Sequence, residues 1–242
     1  MPFPFPFTMF GANRSSNSGG GGASCDFTYC YGGDWVQGKV GRYGMSFDSS
    51  ASPNQYITVN NISDITSQQK GTVSMWISSS GPWSGEYYPT LLASADEAVS
   101  NTYWEWYVDQ ADSKMKFAFY NAGSSTTNFD CDTPLSANTW HHVAISSDGT
   151  TCKMYLDGAQ NPVGSPNAGN WFGDLTGPDN ITIGYMLYGG GLDFPFGGKI
   201  DEVAIWDVPL TDAQISLLST GSARADSITP PNASDGAWLS PG

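Results

Sequence analysis

The chain has 242 residues, of which 39% are hydrophobic and 13% charged, with 29 glycines and 15 prolines; so little charge and so many turn formers fit a loop-rich β-sandwich and exclude a helical protein. Net charge is −14 and the pI about 4.1, and nine scattered basic residues form no phosphate-binding surface, which excludes nucleic acid as an expected partner. No run of about 18 apolar residues exists, so no transmembrane helix is expected, while the acidity serves solubility and could also supply oxygen ligands to Ca²⁺.

Residues 1–10, MPFPFPFTMF, are a Pro-Phe repeat. Each proline biases its predecessor toward extended backbone, so a stiff arm is expected, with Phe3, Phe5, Phe7 and Phe10 as aromatic pegs. Four exposed phenylalanines must be covered. A protein partner is the expected receiver, and folding back on the parent domain is the alternative. The arm lacks a basic start and an uninterrupted apolar stretch, so it does not read as a signal peptide; with Met1 kept, synthesis in a cytosol is expected. Residues 13–23, NRSSNSGGGGA, read as a flexible tether. Cys25 and Cys30 could close a small loop, and Cys131 with Cys152 could link neighbouring strands; the alternative is four free thiols. Two adjacent histidines are too few for a zinc site.

Strand material begins near residue 39. Met45 and Phe47 alternate with Ser46 and Asp48, and QYITV follows a Pro-Asn turn. Strands are expected at 71–78, 90–94, 103–109 and 114–120. The clearest stretch is TWHHVAISSDGTTCKMYLDG, residues 139–158. Its runs 141–146 and 151–156 flank Asp148-Gly149, a pair that tolerates the positive φ of a hairpin turn. A Gly/Pro/Asn loop spans 161–179, a strand 181–185, a glycine-rich loop 186–196 and the last strand 198–206. Residues 211–219 are the one helix candidate, capped by Thr211 and stopped by Gly221.

Taken in order, SFDSS, QYITV, VSMWIS, TWHHVAISSDGTTCKMYLDG, ITIG and GKIDEVAIWDVPLTDAQI resemble a laminin G-like domain of the concanavalin A-like lectin/glucanase superfamily. The resemblance covers about residues 39–220. It implies an all-β fold, a two-sheet antiparallel jelly-roll sandwich with an extended N-terminal arm and one short C-terminal helix. The expected organisation is an arm and tether at 1–24, a jelly roll at 25–225 and an extended tail at 226–242. It also implies a structural Ca²⁺ held by Asp48, which follows the SF pair, and Asp201 of GKIDEV. Ser49 replaces the usual glycine after that aspartate, and the bland alternative is a turn residue and an edge residue.

The glucanase branch places closely spaced carboxylates on one strand. Here Asp201 and Glu202 are adjacent, so alternation would send them to opposite faces, and Glu105 and Asp109 share a face at wide separation. No nucleophile elbow, metalloprotease helix or phosphate loop is found, and His141-His142 read as sheet residues. Catalysis is therefore not expected. Aromatic rings in or beside Gly-rich loops can stack on sugars, and Trp83, Tyr87, Trp104, Trp171 and Tyr188 are the carbohydrate-binding candidates; the alternative is that they plug the sandwich ends. The functional expectation is a non-enzymatic virion decoration protein, anchored by its arm to subunits of a particle and displaying a lectin-like domain to glycans or a host surface. A stand-alone extracellular carbohydrate-binding module is the alternative, followed by a glycoside hydrolase.

Overall fold

The computed structural model of the chain describes residues 7–8, 27–41, 43–59, 62–83, 88–121, 125–164 and 167–228. The strands are β1 (Phe7–Thr8), β2 (Phe27–Tyr31), β3 (Asp34–Val36), β4 (Gly44–Phe47), β5 (Tyr56–Val59) and β6 (Gly71–Ser79), then β7 (Thr90–Ala95), β8 (Tyr103–Asp109), β9 (Lys114–Asn121) and β10 (Ser125–Asp130). There follow β11 (His141–Ser147), β12 (Cys152–Leu156), β13 (Ala159–Asn161), β14 (Asn180–Ile183), β15 (Met186–Tyr188), β16 (Gly191–Asp193) and β17 (Gly198–Trp206). The two α-helices are α1 (Ser63–Thr66) and α2 (Asp212–Ser219).

All the described strands but β15 and β16, which pair with each other, form two antiparallel sheets. One runs β13-β12-β11-β6-β17-β4-β3, with β1 beside β17; the other runs β10-β9-β8-β7-β14-β5-β2. Period-two alternation builds the core between them. Val73, Met75 and Ile77 from β6 and Val143 and Ile145 from β11 meet Trp104, Trp106 and Val108 from β8 and Phe117 and Phe119 from β9, all buried. The expected central hairpin is present: Ser147 pairs with Cys152, so residues 148–151, Asp148-Gly149 among them, make the turn. Asp148 Oδ1 accepts from the Thr150 and Thr151 amides at 2.7 and 2.8 Å, and Gly149 takes φ +88°. Helix α2 is capped as its sequence predicts: Thr211 Oγ1 accepts from Gln214 N, and Gly221 ends it at φ +68°.

The two outer faces differ. Outside the first sheet, Ile215 and Leu218 of α2 pack with Leu210 and Ile228 onto Ala144, Tyr155, Ala204 and Trp206. The second sheet has no such helical layer among the described residues; the hairpin β15–β16 lies beside β7 and β14 instead. That hairpin falls where the sequence predicts a glycine-rich loop. Its two turn glycines, Gly189 and Gly190, have positive φ.

Of the arm, Phe7–Thr8 pair with Ile205 and Ala204 of the chain's own β17, beyond the point where β4 leaves that strand. At these residues the backbone folds back on its own sheet; Phe3, Phe5 and Phe10 lie outside the described residues. Cys131 and Cys152 are both buried free thiols, which corrects the expected pairing. Cys131 bridges to Val163 past the end of β10, and Cys152 opposes Ser147 in the other sheet, so register keeps them apart. Cys25 lies outside the described residues, as does the Cys30 side chain.

Candidate functional site

The outer face of the second sheet, which no helix covers among the described residues, is built by one strand's alternation. In β8 the indoles of Trp104 and Trp106 point into the core, which turns Tyr103, Glu105, Tyr107 and Asp109 outward. Register places Tyr120 of β9 opposite Tyr103, and their rings lie 4.9 Å apart. Tyr188, carried by the β15–β16 hairpin, meets Tyr103 edge-on at 5.5 Å. Farther along, the half-exposed Tyr88 packs on Tyr107 at 5.6 Å and on Phe194 at 5.9 Å. Across the sheet, Tyr31 stacks on Tyr56 at 4.4 Å, with Tyr185 beside it. Beside the hairpin opens a shallow cleft of about 290 Å³, lined by Ser100, Asn101, Tyr188, Gly189, Gly191 and Asp193. Amphipathic rings beside exposed amide, hydroxyl and carboxylate groups can stack on an apolar sugar face and hydrogen-bond its hydroxyls.

Glu105 sits beneath this surface, 4% exposed, and Thr90 Oγ1 donates to its Oε1 at 2.6 Å. Burial pushes its carboxyl up to about 8; the Thr90 bond opposes the rise and the Asp193 charge adds to it. The unfolded chain releases this proton near 4.5, so between these two values the folded state binds more protons and stability falls as pH rises, by about 1.4 kcal/mol per pH unit. Glu105→Gln is expected to remove that slope, so that the variant gains on the wild type by on the order of 2 kcal/mol between pH 6 and pH 8. Urea melts at the two pH values check it, and parallel curves for both proteins would refute it. Buried His142, edge-on to Trp76, acts in the opposite sense: burial lowers it to about 4, so stability falls as pH drops below 6.5.

The sequence candidates separate cleanly. Trp104 and Trp171 are fully buried and 5.4 Å apart in a cluster with Phe172, and Trp83, 8% exposed, packs on Phe196. These three belong to the sandwich interior and offer no face to a ligand, which corrects their assignment to a sugar surface. Tyr188 does line the cleft, and Tyr87 lies outside the described residues. Tyr103 and Tyr107 were the residues missed. The alternation in YWEWYVD, indoles against phenols and acids, is the signal that finds them.

The two aspartates expected around a cation are not brought together. Ile200 pairs with Met45 and Gly198 with Phe47, so Asp201 lies level with Gly44 and Asp48 lies past the other end of β4. Four residues of strand, about 13 Å, separate those positions. Asp48 is an exposed turn residue whose Oδ1 accepts from Ser50 N and Oγ. Asp201 is fully buried: Oδ2 accepts from the Lys39 and Val40 amides at 2.7 and 2.8 Å, and Oδ1 from Glu202 N at 2.8 Å. No group of three or more His, Cys, Asp or Glu placed to hold a metal occurs among the described residues. The expected opposition of Asp201 and Glu202 is also corrected. A bulge sets Glu202 at φ +47°, and its carboxylate meets Arg224 and the Ala225 amide in the outer layer.

One further constellation has the order of a hydrolytic triad. Ser136 Oγ lies 2.7 Å from His141 Nε2, and His141 Nδ1 lies 2.8 Å from Asp157 Oδ2. The Ser136 amide also donates to Nε2, at 3.2 Å, so that nitrogen is an acceptor and Nδ1–H donates to Asp157. Asp157 Oδ1 in turn accepts from His142 N. Serine hydroxyl and amide thus converge on the same ring nitrogen, a clasp holding the 133–137 loop to the start of β11. The Ser136 amide is thus engaged with the ring.

The family model described as the concanavalin A-like lectin/glucanases superfamily matches residues 50–216. Among solved structures, the Ruminococcus gnavus IT-sialidase CBM40 bound to α2,3-sialyllactose is 18% identical with a TM-score of 0.59, over 77% of this chain and 96% of that one. Domain 4 of AbnA, a GH43 extracellular arabinanase from Geobacillus stearothermophilus, in complex with arabinotriose, is 19% identical with a TM-score of 0.59, over 88% and 87%. At these identities the likeness is one of fold. Two curated relatives match: pappalysin-1 of Mus musculus, 24% identical over 155 residues and 60% of this chain, and the anhydrosialidase of Macrobdella decora, 26% identical over 103 residues and 39% of it. The matched segments span 9% and 13% of those two proteins.

Proposed function

The chain belongs to the concanavalin A-like lectin/glucanases superfamily, and from that premise we propose that it is a non-catalytic carbohydrate-binding domain whose ligand lies on the tyrosine face of β8, against the β15–β16 hairpin. The observation that carries this reading is the outward row Tyr103, Glu105, Tyr107 with Tyr188 leaning over it, on an outer sheet face that no helix covers among the described residues. The sugar complexes named for two of its fold neighbours support it. The non-catalytic part of the reading is supported by the strand spacing of Glu105 and Asp109, about 13 Å and wider than either glycosidase spacing, and by the engagement of the Ser136 amide with His141.

A glycan microarray and affinity electrophoresis through soluble polysaccharides test the reading. Tyr188→Ala and Tyr103→Ala are each expected to weaken binding by about tenfold, roughly the worth of one ring–ring stack. Unchanged affinity in both variants, with the fold intact by circular dichroism, would remove the site from this face.

The finer reading is that the domain is displayed outside the cell on a virion, with residues 1–10 as its attachment. The Pro-Phe repeat favours it, because an extended aromatic segment suits strand addition to a sheet edge, whereas the pairing of Phe7–Thr8 with the chain's own β17 favours folding back. Electron microscopy of the native source that finds the chain apart from any repeating particle would reject this attachment.

A further inference from the structure

Resting on the carbohydrate reading, we propose that the ligand is an uncharged oligosaccharide and that the site excludes sialylated and other anionic glycans. Recognition of a sugar carboxylate calls for a positively charged partner, above all the planar fork of an arginine. On the tyrosine-bearing sheet the described cations are Lys114 and Lys116, both on β9. Lys116 Nζ is already held between Asp109 and Asp112, at 2.8 and 3.1 Å. Lys114 stands opposite Asp109 in the ladder, at the end of β8 away from Tyr103 and Tyr188.

The remaining described cations belong to the opposite sheet or its covering layer. Lys39 lies over Trp76, Lys153 is 3.5 Å from Asp212 of α2, and Arg224 meets Glu202; Lys70 adjoins β6 and Lys199 is in β17. Around the cleft the charges are negative. Asp193 lines it, and its field reaches Tyr185, Tyr188 and Glu105. An anionic ligand would therefore approach like charge with no cation among the described residues placed to offset it. A neutral sugar would find stacking rings, the Ser100 hydroxyl, the Asn101 amide and a carboxylate acceptor. A fold shared with a domain solved with sialyllactose thus carries charge chemistry unsuited to that ligand.

The test uses the full chain on an array that carries each neutral glycan beside its sialylated form, followed by titration calorimetry with the best neutral ligand and its α2,3- and α2,6-sialylated derivatives. The expected result is binding by neutral glycans, at least about tenfold weaker binding by the sialylated forms, and an affinity for the neutral ligand that changes less than about twofold between 50 and 500 mM NaCl. A sialylated glycan held within tenfold of its neutral parent, with that binding lost in Tyr188→Ala, would overturn the charge inference and leave the site in place. Binding to no glycan at all would overturn the carbohydrate reading itself.

Discussion

Asp201→Ala is expected to destabilise the protein by about 3–5 kcal/mol, because the carboxylate anchors residues 39–40 to the bulge in β17. Its two oxygens accept three backbone amides, from Lys39, Val40 and Glu202. Gly38 and Gly44 crowd it so closely that a Cβ at Gly38 would lie 2.6 Å from Oδ2. Truncation therefore strands amides in a site where water has little room, and each stranded donor costs about 1–3 kcal/mol. For a chain of this size that loss corresponds to a Tm lower by about 10 °C. Asp201→Asn keeps one carbonyl acceptor and the side-chain shape, so it should lose about half as much. The loss should be equal in calcium-containing and chelated buffer, since the oxygen lone pairs are directed at amides. Urea melts at constant m-value measure it. A loss below about 1 kcal/mol, or one that appears only when calcium is present, would show that the amide clamp is not what Asp201 provides.

Trp104→Ala should cost as much or more, about 4–5 kcal/mol. The side chain is fully buried, edge-on to Phe117 at 5.2 Å and to Trp171 at 5.4 Å, and 4.6 Å from Phe172, with Nε1 donating to Asn170 O at 3.3 Å. Three of these partners, Asn170, Trp171 and Phe172, come from the 161–179 loop, so removing the indole also loosens that loop from the sandwich. Because the alanine variant can fail to fold, Trp104→Phe is the companion: it keeps a ring, loses the Nε1 bond and should cost about 1–2 kcal/mol. Its glycan affinity should stay within about twofold of the wild type. A Trp104→Phe protein that melts normally but loses sugar binding would return this residue to the ligand surface.

The strands were legible where alternation is strong. Tyr103–Asp109 and Gly198–Trp206 match the sequence reading to the residue, and the helix cap at Thr211 is where its side chain predicts it. Of the strands that were not read, Phe27–Tyr31 and Ser125–Asp130 have five and six residues, whereas Asp34–Val36, Ala159–Asn161 and the β15–β16 pair are three residues each. A window that short carries little periodicity, and their pairing is imposed by neighbouring strands. The site was less legible than the fold. Proximity to loops drew attention to Trp104 and Trp171, but a ring's neighbours in sequence do not say which way it points. Sheet alternation does, and it put the phenols outside. The Asp48/Asp201 pairing failed on register, a property that a four-residue offset decides and that no local pattern encodes.

One consequence of β8 concerns how this domain can change over generations. Tyr103, Glu105 and Tyr107 face away from the interior that Trp104, Trp106 and Val108 fill, so under the proposed carbohydrate reading binding and folding are interleaved residue by residue in a single strand. Substitutions at the odd positions can redirect ligand preference and leave the interior untouched. An inserted or deleted residue there exchanges the two sets at once, exposing indoles and burying acids. Descendants of this chain can therefore diversify in specificity by point replacement along β8, whereas changes of length are confined to the turns at its ends.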